Sequence, residues 1–578
     1  MNLTSQQQAL LDGAKGPAMA KVVKTLVMYG ECFGAEHMVP VTGANGHLVT
    51  SFGLSMLGPV YDLMDELLKD GALSGQSFSV DPRPLDPAVP ANPLQKLLFK
   101  IMYSKQDDYE AQLRSMGLLD NDAFTCTCYQ PEVGNRPRRG DILSWAESSA
   151  VVFANSVLGA RCNRNSGIIE MFGSIAGFVP EFGLLTDEGR KATWIIEVDC
   201  KRKPEAQVLG SAIGMKVMED VPYIKGLDRW LGRELTPGTQ DYLKDMGAAS
   251  ASNGAVGLYH VDGITPEAVE QGEHLIAPDA QIYRIDDAEL ERIRSSYPVM
   301  WKNPGARPKL AFIGCPPPLV CTTRPLGRRH LRWAERLRQV PRASTHRTDR
   351  RPIRGRRLPQ DCGIQTPLDY RCRRLEHLPA YVHQQPAVRQ HAHHHQLQQV
   401  AYVLGIALLH RRRGARLRHH RKTNQIGRRL LMEKIFHGRV VVPGTAHAKA
   451  LVSHGGLNTL ASFQKALMFG DKKATCSDQN NPDLYGKPLA GCALCLPQTI
   501  GSTTGGMVLF CATKMGRQPA CLLFSKPIDS LAAAGAILSG VWTATPMPTI
   551  DNLGDEFLDA VSTGDAITVT EDGTVIVG

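Results

Sequence analysis

Long hydrophobic runs are absent from this sequence. No apolar stretch approaches the roughly 18 residues that a helix needs to span a bilayer, and the first 13 residues are polar. Both features argue against a membrane span or a signal peptide. We therefore expect a cytoplasmic protein, with no membrane among its partners.

Dense, regular cysteine spacing is absent as well. The 14 cysteines are scattered over 578 residues, whereas secreted disulfide scaffolds place many cysteines in a short chain. In a reducing compartment these residues should be core thiols or metal ligands. Cys492 and Cys495 form a C-x-x-C pattern within an apolar, strand-like run, and we interpret them as core thiols rather than as a metal site.

Lysine nearly vanishes from one segment, residues 316–431. That segment holds 25 Arg and 1 Lys against 5 acidic residues, together with 11 of the 18 histidines. The rest of the chain carries a net charge of −11, so the overall charge of +10 comes from this segment alone. Its histidine run, His393 to His395, has no aspartate or cysteine framework around it and carries little weight as a metal site.

Strand-like and helix-like stretches alternate in the remainder, which predicts a multi-domain α/β protein. The last part, about 436–578, should form one compact α/β domain. We predict helices over 17–30, 59–69, 145–155, 507–515 and 530–538, a further helix from Pro266, an extended loop over 81–93, and strands over 193–198, 254–261, 309–313, 439–442, 492–496, 520–524 and 567–577.

The stretch Gly501 to Gly506, Gly-Ser-Thr-Thr-Gly-Gly, joins a predicted strand to a predicted helix. The first N–H groups of a helix have no internal partner and lie at the positive end of its dipole, so they favour a carboxylate or phosphate. Glycine permits close approach of a ligand, and a hydroxyl can accept a proton. A helix cap is the simplest interpretation, and an anion site with a candidate base is the alternative.

Thiols and histidines elsewhere are further candidates for chemistry. An extended chain would place Cys126 and Cys128, which one threonine separates, on opposite sides, so we expect only one of them as a metal ligand. Cys315 follows a predicted strand, where its side chain can reach a cleft. His47 lies in a loop and is a candidate ligand contact, whereas His260 lies in a predicted buried strand and is interpreted as a core histidine.

Two arginines flank Cys162 after the small-residue helix predicted over 145–155. Most such arginines are structural or solvated. Because a guanidinium can bind a carboxylate through two parallel hydrogen bonds, Arg161 and Arg164 are also candidates for a substrate clamp.

Several separate runs occur in an order that matches one protein family. They are Thr125-Cys126-Thr127 with Tyr129 and Gly134-Asn135, then Glu147-Ser148-Ser149-Ala150 through Asn155-Ser156, Gly159-Ala160-Arg161 with Asn163-Arg164, Thr265-Pro266-Glu267 after His260, and Gly314-Cys315-Pro316. Over about 1–315 and 434–578 the chain resembles aconitase X, a branch of the aconitase superfamily that includes cis-3-hydroxy-L-proline and phosphomevalonate dehydratases. The resemblance implies an aconitase-like α/β core over 1–315 and a swivelling small-subunit domain over 432–578, fused in one chain.

The resemblance also implies a hydro-lyase. Gly501-Ser502-Thr503 matches the superfamily's glycine-serine loop, in which the serine is the base that takes the α-proton of the substrate. Cys126 and Cys315 would hold iron or an iron-sulfur cluster, 2Fe-2S in first place and mononuclear iron or 4Fe-4S as alternatives, which helps hydroxide to leave. The residues implied for substrate binding are Thr503, Thr504, Ser149, Arg161 and His47.

The substrate implied by the resemblance is a small hydroxy acid or hydroxy amino acid. The fused arrangement and the insert at 479–486 favour the bacterial type of enzyme, which converts cis-3-hydroxy-L-proline to 1-pyrroline-2-carboxylate through an enamine. Dehydration of phosphomevalonate or another hydroxy acid is the alternative. The sequence gives no indication of oligomeric state.

Residues 316–431 depart from the family. A histidine after Gly-Cys-Pro, a second cysteine motif and a Thr-Asn-Ser-Asn-Lys run are expected, and none is present. His-Gln-Leu-Gln-Gln at 395–399 must be written CAY CAR YTN CAR CAR, and reading one base later gives triplets that admit Thr, Asn, Ser, Asn and Lys. We infer that this segment is translated in the wrong frame and is poorly ordered. This predicts that the present chain lacks a third metal ligand and part of its core, folds poorly and is inactive.

Two functions of other classes remain as alternatives. An arginine- and histidine-rich insert can bind nucleic acid through phosphate contacts, but the segment lacks the lysine and the glycine-aromatic content of such arms, so we do not expect nucleic acid as a partner. The other alternative is a metal-free, inactive member of the family that serves as a binding protein.

Overall fold

The computed structural model describes residues 1–48, 53–85, 91–119, 123–297 and 433–578. Three predictions lie outside the described residues: the strand over 309–313, the candidate ligand Cys315, and the whole of the segment 316–431. The described residues form a mixed structure of helices and sheets, which confirms the predicted α/β class.

The first part of the chain, residues 1–180, packs helices around two short strand pairs. Helix α2 begins at Pro17, where the missing N–H costs nothing, and it buries Val22, Val23 and Leu26 completely. The elements are α1 Ser5–Leu11, α2 Pro17–Cys32, β1 Met38–Pro40, β2 Gly46–Leu48, α3 Gly58–Lys69, β3 Phe78–Val80, α4 Pro93–Met102, α5 Gln106–Met116, α6 Ser148–Phe153, α7 Gly167–Ala176 and β4 Phe178–Pro180.

Helix α2 continues past the predicted end at Gly30. A β-carbon at Gly30 would lie 2.5 Å from the Pro180 side chain and 2.3 Å from that of Met1. The glycine is therefore needed for close packing of the helix against β4, and it does not mark the helix terminus.

The second part, residues 192–296, is a four-stranded parallel sheet in the order β7-β6-β5-β8. The elements are β5 Ala192–Asp199, α8 Ala206–Val217, β6 Pro222–Lys225, α9 Asp228–Leu231, α10 Pro237–Asn253, β7 His260–Val261, α11 Pro266–Gln271, β8 Ile276–Asp286 and α12 Asp287–Ser296. The predicted strand over 193–198 and the helix from Pro266 are confirmed.

The strand predicted over 254–261 is wrong except for its last two residues. Val256 and Leu258 are fully buried, which explains the strand-like pattern. The backbone around them, however, bonds to side chains: the Asn155 amide donates to the Gly257 carbonyl, and the Tyr259 N–H donates to the Ser156 hydroxyl. Burial without ladder hydrogen bonds gives an extended segment that is not part of a sheet.

The last part, from residue 433 on, contains an eight-stranded mixed sheet in the order β10-β16-β15-β13-β11-β17-β18-β9. Predicted strands and helices are confirmed here, except that the final strand is two strands with a turn between them. The elements are β9 Lys434–His437, β10 Arg439–Val442, β11 Ala446–Val452, β12 Leu457–Asn458, α13 Thr459–Phe469, β13 Ala493–Leu496, β14 Thr499–Ile500, α14 Gly505–Lys514, β15 Cys521–Phe524, α15 Ser530–Trp542, β16 Thr549–Asp551, α16 Asp555–Ala560, β17 Ala566–Val569 and β18 Thr574–Val577.

Helices α14 and α15 dock this last part onto the first. The Trp542 indole N–H donates to the Thr25 hydroxyl at 3.0 Å across the contact, and the Trp542 ring lies 5.3 Å from the ring of Phe172. One hydrophobic core includes residues of α2, α3, α7, α14 and α15. The two parts therefore share a core rather than a polar surface contact. None of the helices in the described ranges is long and apolar enough to cross a membrane.

Gly535 sets the distance between α14 and α15. A β-carbon there would lie 2.5 Å from the β-carbon of Leu509, whereas one at Gly540 on the same helix would meet nothing closer than Val442 at 3.5 Å. We predict that Gly535→Ala lowers the free energy of unfolding by roughly 1–3 kcal/mol through overpacking.

Gly540→Ala is the matched control for that prediction. It should leave stability unchanged or raise it by up to about 1 kcal/mol, because alanine is the better helix former. Urea denaturation followed by circular dichroism measures both variants. Equal stabilities for the two would contradict the packing argument.

Candidate active site

Three loops of the last domain meet at one edge of its sheet. Strands β11, β13 and β15 are parallel neighbours, so their carboxyl ends lie side by side. The loops that follow them contain Ser453, Gly501 and Asp529, and in open α/β sheets this edge is where ligands bind. The Gly501 loop is the central one of the three.

The structure places Gly501 to Thr504 between β14 and α14, and Gly505 and Gly506 begin the helix. Gly501 has φ of +107°, which only glycine adopts without strain. The Ser502 hydroxyl lies 3.2 Å from that of Thr504 and accepts a hydrogen bond from the Thr504 N–H at 3.4 Å. Thr503 and Thr504 are buried, while Ser502 is half-buried. Ser502 is thus the hydroxyl of this loop that a ligand can reach.

The glycines that begin α14 permit close packing. A β-carbon at Gly505 would lie 2.6 Å from the Thr459 hydroxyl, and one at Gly506 would lie 2.8 Å from the Ser166 hydroxyl. Ser166 belongs to the first part of the chain. We call the described residues up to 297 the large domain, and the start of α14 is pressed directly against it. Any larger residue would push Ser502 away from that surface.

Arg164 reaches the loop from the large domain. Its guanidinium donates to the Gly501 carbonyl at 3.1 Å, and its Nε is buried without a hydrogen-bond partner among the described residues. Burial lowers the pKa of Arg164, against the opposing charges of Glu219, Glu147 and Asp529. A cation with an unused donor therefore lies one residue from Ser502.

Glu147 interacts with Arg164 and caps helix α6. One of its carboxylate oxygens caps α6 by accepting the Ala150 N–H at 2.6 Å, and it also accepts the Ser149 hydroxyl at 2.7 Å. Burial raises the pKa of Glu147, while these hydrogen bonds and Arg164 lower it. The helix predicted over 145–155 begins only at Ser148 because Glu147 is its cap, and its last turn widens to a π-helix over Ala154–Leu158.

The thiols of Cys126 and Cys128 lie near Glu147. Cys126 and Cys128 are both buried, and both interact electrostatically with Tyr129, whose ring stacks on that of Phe153 at 4.0 Å. Burial raises the pKa of the Cys128 thiol well above its usual range, and the neighbouring Glu147 adds to the shift. The chain bends at Cys126 and a turn begins at Cys128. That only one of the two thiols is a metal ligand stays a prediction.

His47 is fully buried at the far end of the same cluster. Its Nδ1 lies 2.9 Å from the Ser79 hydroxyl, which also accepts the Asn135 amide at 2.8 Å. Burial lowers the pKa of His47 to about 3, so its imidazole is neutral at physiological pH. Its Nε2 lies 3.9 Å from an Asp81 oxygen and has no hydrogen-bond partner in the described ranges. His47 is thus placed near the thiols, away from the glycine loop.

The two arginines that flank Cys162 have different environments. Arg161 donates to the Leu185 carbonyl and pairs with Asp187, which connects two loops of the large domain. Arg164 alone contacts the glycine loop. The spacing in the sequence does not distinguish the roles of the two arginines. Their contacts favour Arg164 as the guanidinium beside Ser502.

His260 and the cysteine pair of the last domain occupy core positions. The His260 Nε2 lies 2.8 Å from the Arg190 carbonyl, and its ring is buried, as predicted for a core histidine. Cys495 is fully buried in β13, and Cys492, the residue immediately before that strand, is half-buried.

Asp529 supports the glycine loop and was not singled out from the sequence. Its carboxylate accepts the Thr499 N–H and hydroxyl at 2.7 and 2.6 Å, and the Leu531 and Ala532 N–H groups at 3.0 and 3.1 Å. Burial raises the pKa of Asp529, but all four partners donate, so the ionised form fits this environment. The signal in the sequence was an aspartate immediately before the predicted helix at Ser530, which is typical of a cap.

A small, solvent-open cleft lies where the large domain meets the glycine loop. Its walls include Arg164 and Glu219 on one side and Gly501 and Asp529 on the other. Met218, also in the wall, has φ of +58°, a conformation that costs a non-glycine residue energy and is found more often at functional sites. The cleft gives a ligand access to the loop from solvent.

The fold is that of a multi-domain α/β protein whose last domain docks on a core that contains buried thiols. Family models match in three stretches: "Aconitase X first domain" over residues 1–188, "Aconitase X second domain" over 192–295 and "Aconitase X swivel domain" over 435–577. The chain belongs to the aconitase X family.

Curated relatives carry dehydratase names. The phosphomevalonate dehydratase large subunit of Thermococcus kodakarensis is 34% identical over 318 residues, 55% of this chain and 74% of that protein. The cis-3-hydroxy-L-proline dehydratase of Pseudomonas aeruginosa is 38% identical over 149 residues, 25% of this chain and 24% of that protein. The phosphomevalonate dehydratase small subunit of Methanocella arvoryzae is 31% identical over 137 residues, 24% of this chain and 92% of that protein.

Asp529 permits a direct test of the loop's support. We predict that Asp529→Asn lowers the free energy of unfolding by roughly 1–3 kcal/mol, because the new amide would face a backbone donor that then has no acceptor. Thermal unfolding of the variant measures the loss.

Asp286→Asn is the matched control. Asp286 caps α12 on the surface, accepting only the Glu289 N–H, and asparagine caps helices about as well as aspartate. We expect that variant to unfold like the wild type, within about 0.5 kcal/mol. A comparable loss in both variants would contradict a special role for Asp529.

Proposed function

We propose that this protein dehydrates cis-3-hydroxy-L-proline to 1-pyrroline-2-carboxylate, with Ser502 as the base. The observation that carries the proposal is the position of Arg164, whose guanidinium contacts the Gly501 carbonyl next to the half-buried Ser502 hydroxyl. Carboxylate binding and proton abstraction would thereby take place at adjacent residues, beside a cleft whose walls include Arg164 and Gly501.

Binding of the substrate carboxylate falls to Arg164 and the start of α14. Arg164 has an unused Nε donor, and the free N–H groups at a helix N-terminus favour an anion. Fixed donors around a carboxylate also stabilise the negative charge that develops when the adjacent α-proton leaves. In this assignment Thr503 and Thr504 shape the loop, and Arg161 supports the large domain from a distance.

Removal of the α-proton falls to Ser502. A serine hydroxyl is a weak base, so it must be activated by positive charge. The nearby guanidinium and the helix dipole both favour the alkoxide over the alcohol. The Thr504 N–H, which bonds to the Ser502 oxygen, provides one further donor to that oxygen. The enamine that forms then tautomerises to the cyclic imine.

We assign the proposed iron centre to the thiols near Glu147. Cys126 and Cys128 are both buried, and the Tyr129 hydroxyl and His47 Nε2 are buried polar atoms that have no partner within the described ranges. No group of three ligand-type side chains occurs among the described residues, so Cys126 would hold the metal together with Cys315, outside them. When bound, iron acts as a Lewis acid that helps hydroxide to leave.

The charge of the cleft favours a hydroxy amino acid over phosphomevalonate. Arg164 is the one cation among the described residues that line it, and Glu219 and Asp529 are acidic. A zwitterionic imino acid presents one carboxylate and one cationic nitrogen, which this arrangement can match. A substrate with both a phosphate and a carboxylate needs more positive charge.

The organisation of the chain also favours cis-3-hydroxy-L-proline over phosphomevalonate as the substrate. The large and small subunits of phosphomevalonate dehydratases are separate proteins, and each matches part of this single chain. Here both regions are fused, with the segment 316–431 between them. We propose domain limits of 1–315 and 432–578 for the two regions and assign 316–431 to translation in the wrong frame.

Replacement of Ser502 tests the proposed base. We predict that Ser502→Ala lowers kcat for cis-3-hydroxy-L-proline at least about 1,000-fold, as expected when a proton acceptor is removed, with iron content and unfolding temperature unchanged. Ser562→Ala, at an exposed position of the same domain, is the control and should keep full activity. Near-normal turnover by Ser502→Ala would refute the proposal that Ser502 is the base.

Resequencing the coding DNA tests the frame assignment. We predict compensating insertions or deletions near codons 316 and 431, and activity in the chain with the restored frame that exceeds that of the chain with the present sequence. An intact frame that encodes the present residues would overturn the assignment. Assays with phosphomevalonate beside cis-3-hydroxy-L-proline decide between the two substrates.

A further inference from the structure

Glu170 lies in a chain of polar side chains that joins the large domain to the swivel domain. It is only 2% exposed, on α7. The Asn165 amide donates to Glu170 Oε1 at 2.6 Å, and the Tyr29 hydroxyl donates to Asn165 Oδ1 at 2.9 Å. The same Tyr29 hydroxyl lies 3.2 Å from the Ser530 carbonyl. The chain therefore runs from the interior of the large domain to the start of α15.

Counting protons at Ser144 shows which form of Glu170 the structure accommodates. The Ser144 hydroxyl oxygen lies 2.7 Å from the Glu170 backbone carbonyl and 2.7 Å from Glu170 Oε2. A hydroxyl has one proton and can donate it along only one of these directions. If Ser144 donates to the carbonyl, the other short contact requires a proton on the Glu170 carboxyl. All groups are then satisfied, with Glu170 donating to Ser144 and accepting from Asn165.

The surroundings of Glu170 favour the neutral acid. In the described part of the chain no cation pairs with it, and burial raises the pKa of Glu170 to about 8, against hydrogen bonds from Ser144 and Asn165. The ionisable groups that face it are Tyr29 and Cys162. Burial, with the charge of Glu170 next, raises the pKa of each well above its usual range, so both are neutral at pH values where Glu170 begins to ionise.

This chain of contacts continues to the glycine loop. The Ser530 hydroxyl donates to the Arg164 carbonyl at 3.1 Å, and the Arg164 guanidinium donates to the Gly501 carbonyl. Asn165, which Glu170 anchors, is the next residue after Arg164. A change in the protonation of Glu170, the hydrogen-bond partner of Asn165, would therefore shift the backbone at Asn165 and with it the neighbouring Arg164.

We propose that Glu170 is a positioning residue that works as a neutral acid, holding Asn165 and thereby Arg164 against the glycine loop, and that its ionisation at alkaline pH loosens this contact. A buried carboxylate without a cation is costly, and a charged Glu170 would leave one of the two Ser144 contacts without a proton. The alkaline limit of activity would then be set at a residue that never touches the substrate.

The first arm of the test uses stability and needs no substrate. Glutamine can replace the neutral acid atom for atom, since its amide donates to Ser144 and its carbonyl accepts from Asn165. The raised pKa means that wild-type unfolding releases a proton between about pH 4.5 and pH 8, so that stability falls as pH rises through that window. We predict that Glu170→Gln lacks this loss and unfolds at least about 2 °C higher than wild type at pH 8, with a smaller difference at pH 5.

Glu110→Gln is the matched control. Glu110 is also buried, but it pairs with Arg83 and Arg114. Burial opposes ionisation there, and the hydrogen bonds from Arg83 and Gln106 prevail and lower the pKa of Glu110. Its replacement should lower the unfolding temperature at neutral pH, the opposite of the result expected at Glu170. A Glu170→Gln variant that is less stable than wild type at pH 8 would overturn the proposal.

The second arm uses activity and rests on the proposed function. Wild-type kcat should fall about tenfold per pH unit above the ionisation of Glu170, and Glu170→Gln should retain activity and shift that fall upward by at least about one pH unit. An unchanged alkaline limb would contradict the positioning role. If the chain with the restored frame turns over no hydroxy acid, the proposed function fails while the stability arm still decides the protonation of Glu170.

Discussion

The close approach of the swivel domain to Arg164 is the constraint on which the site depends. In the proposed site neither part is sufficient alone, since one would supply the hydroxyl and the helix N-terminus and the other the guanidinium and the thiols. The distance between them is set by Gly506, where a β-carbon would lie 2.8 Å from the Ser166 hydroxyl. Small residues at this contact are therefore a condition for chemistry, because a shift of even 1 Å in reacting groups costs much of their effectiveness.

Two buried carboxyl groups close to this contact are held in opposite protonation states. Asp529 receives four hydrogen bonds from donors, which fits a carboxylate, although burial raises its pKa. Glu170 faces a hydroxyl whose single proton cannot serve both of its short contacts, which fits a neutral acid. The number of available donors decides the form in each case, because burial acts in the same direction on both.

Much of this architecture follows from local patterns. Alternating apolar runs located β5, β13, β15 and the helices around them, and the glycines and hydroxyls at 501–506 indicated a helix N-terminus with an accessible serine. Arg164 could not be separated from Arg161, since their environments differ only through contacts with residues more than 20 positions away. Glu170 carried no signal at all, because its role depends on a proton count around Ser144 that only the folded chain creates.

Fusion of the two regions changes what the interface must achieve. Where the regions are separate subunits, as the names of the phosphomevalonate relatives state, the contact must overcome the entropy of association. In one chain the swivel domain is always present at high effective concentration, so the contact can be weaker and still be formed most of the time. A contact formed by a shared hydrophobic core and a few uncharged hydrogen bonds, such as that from the Ser530 hydroxyl to the Arg164 carbonyl, then holds the swivel domain against Arg164.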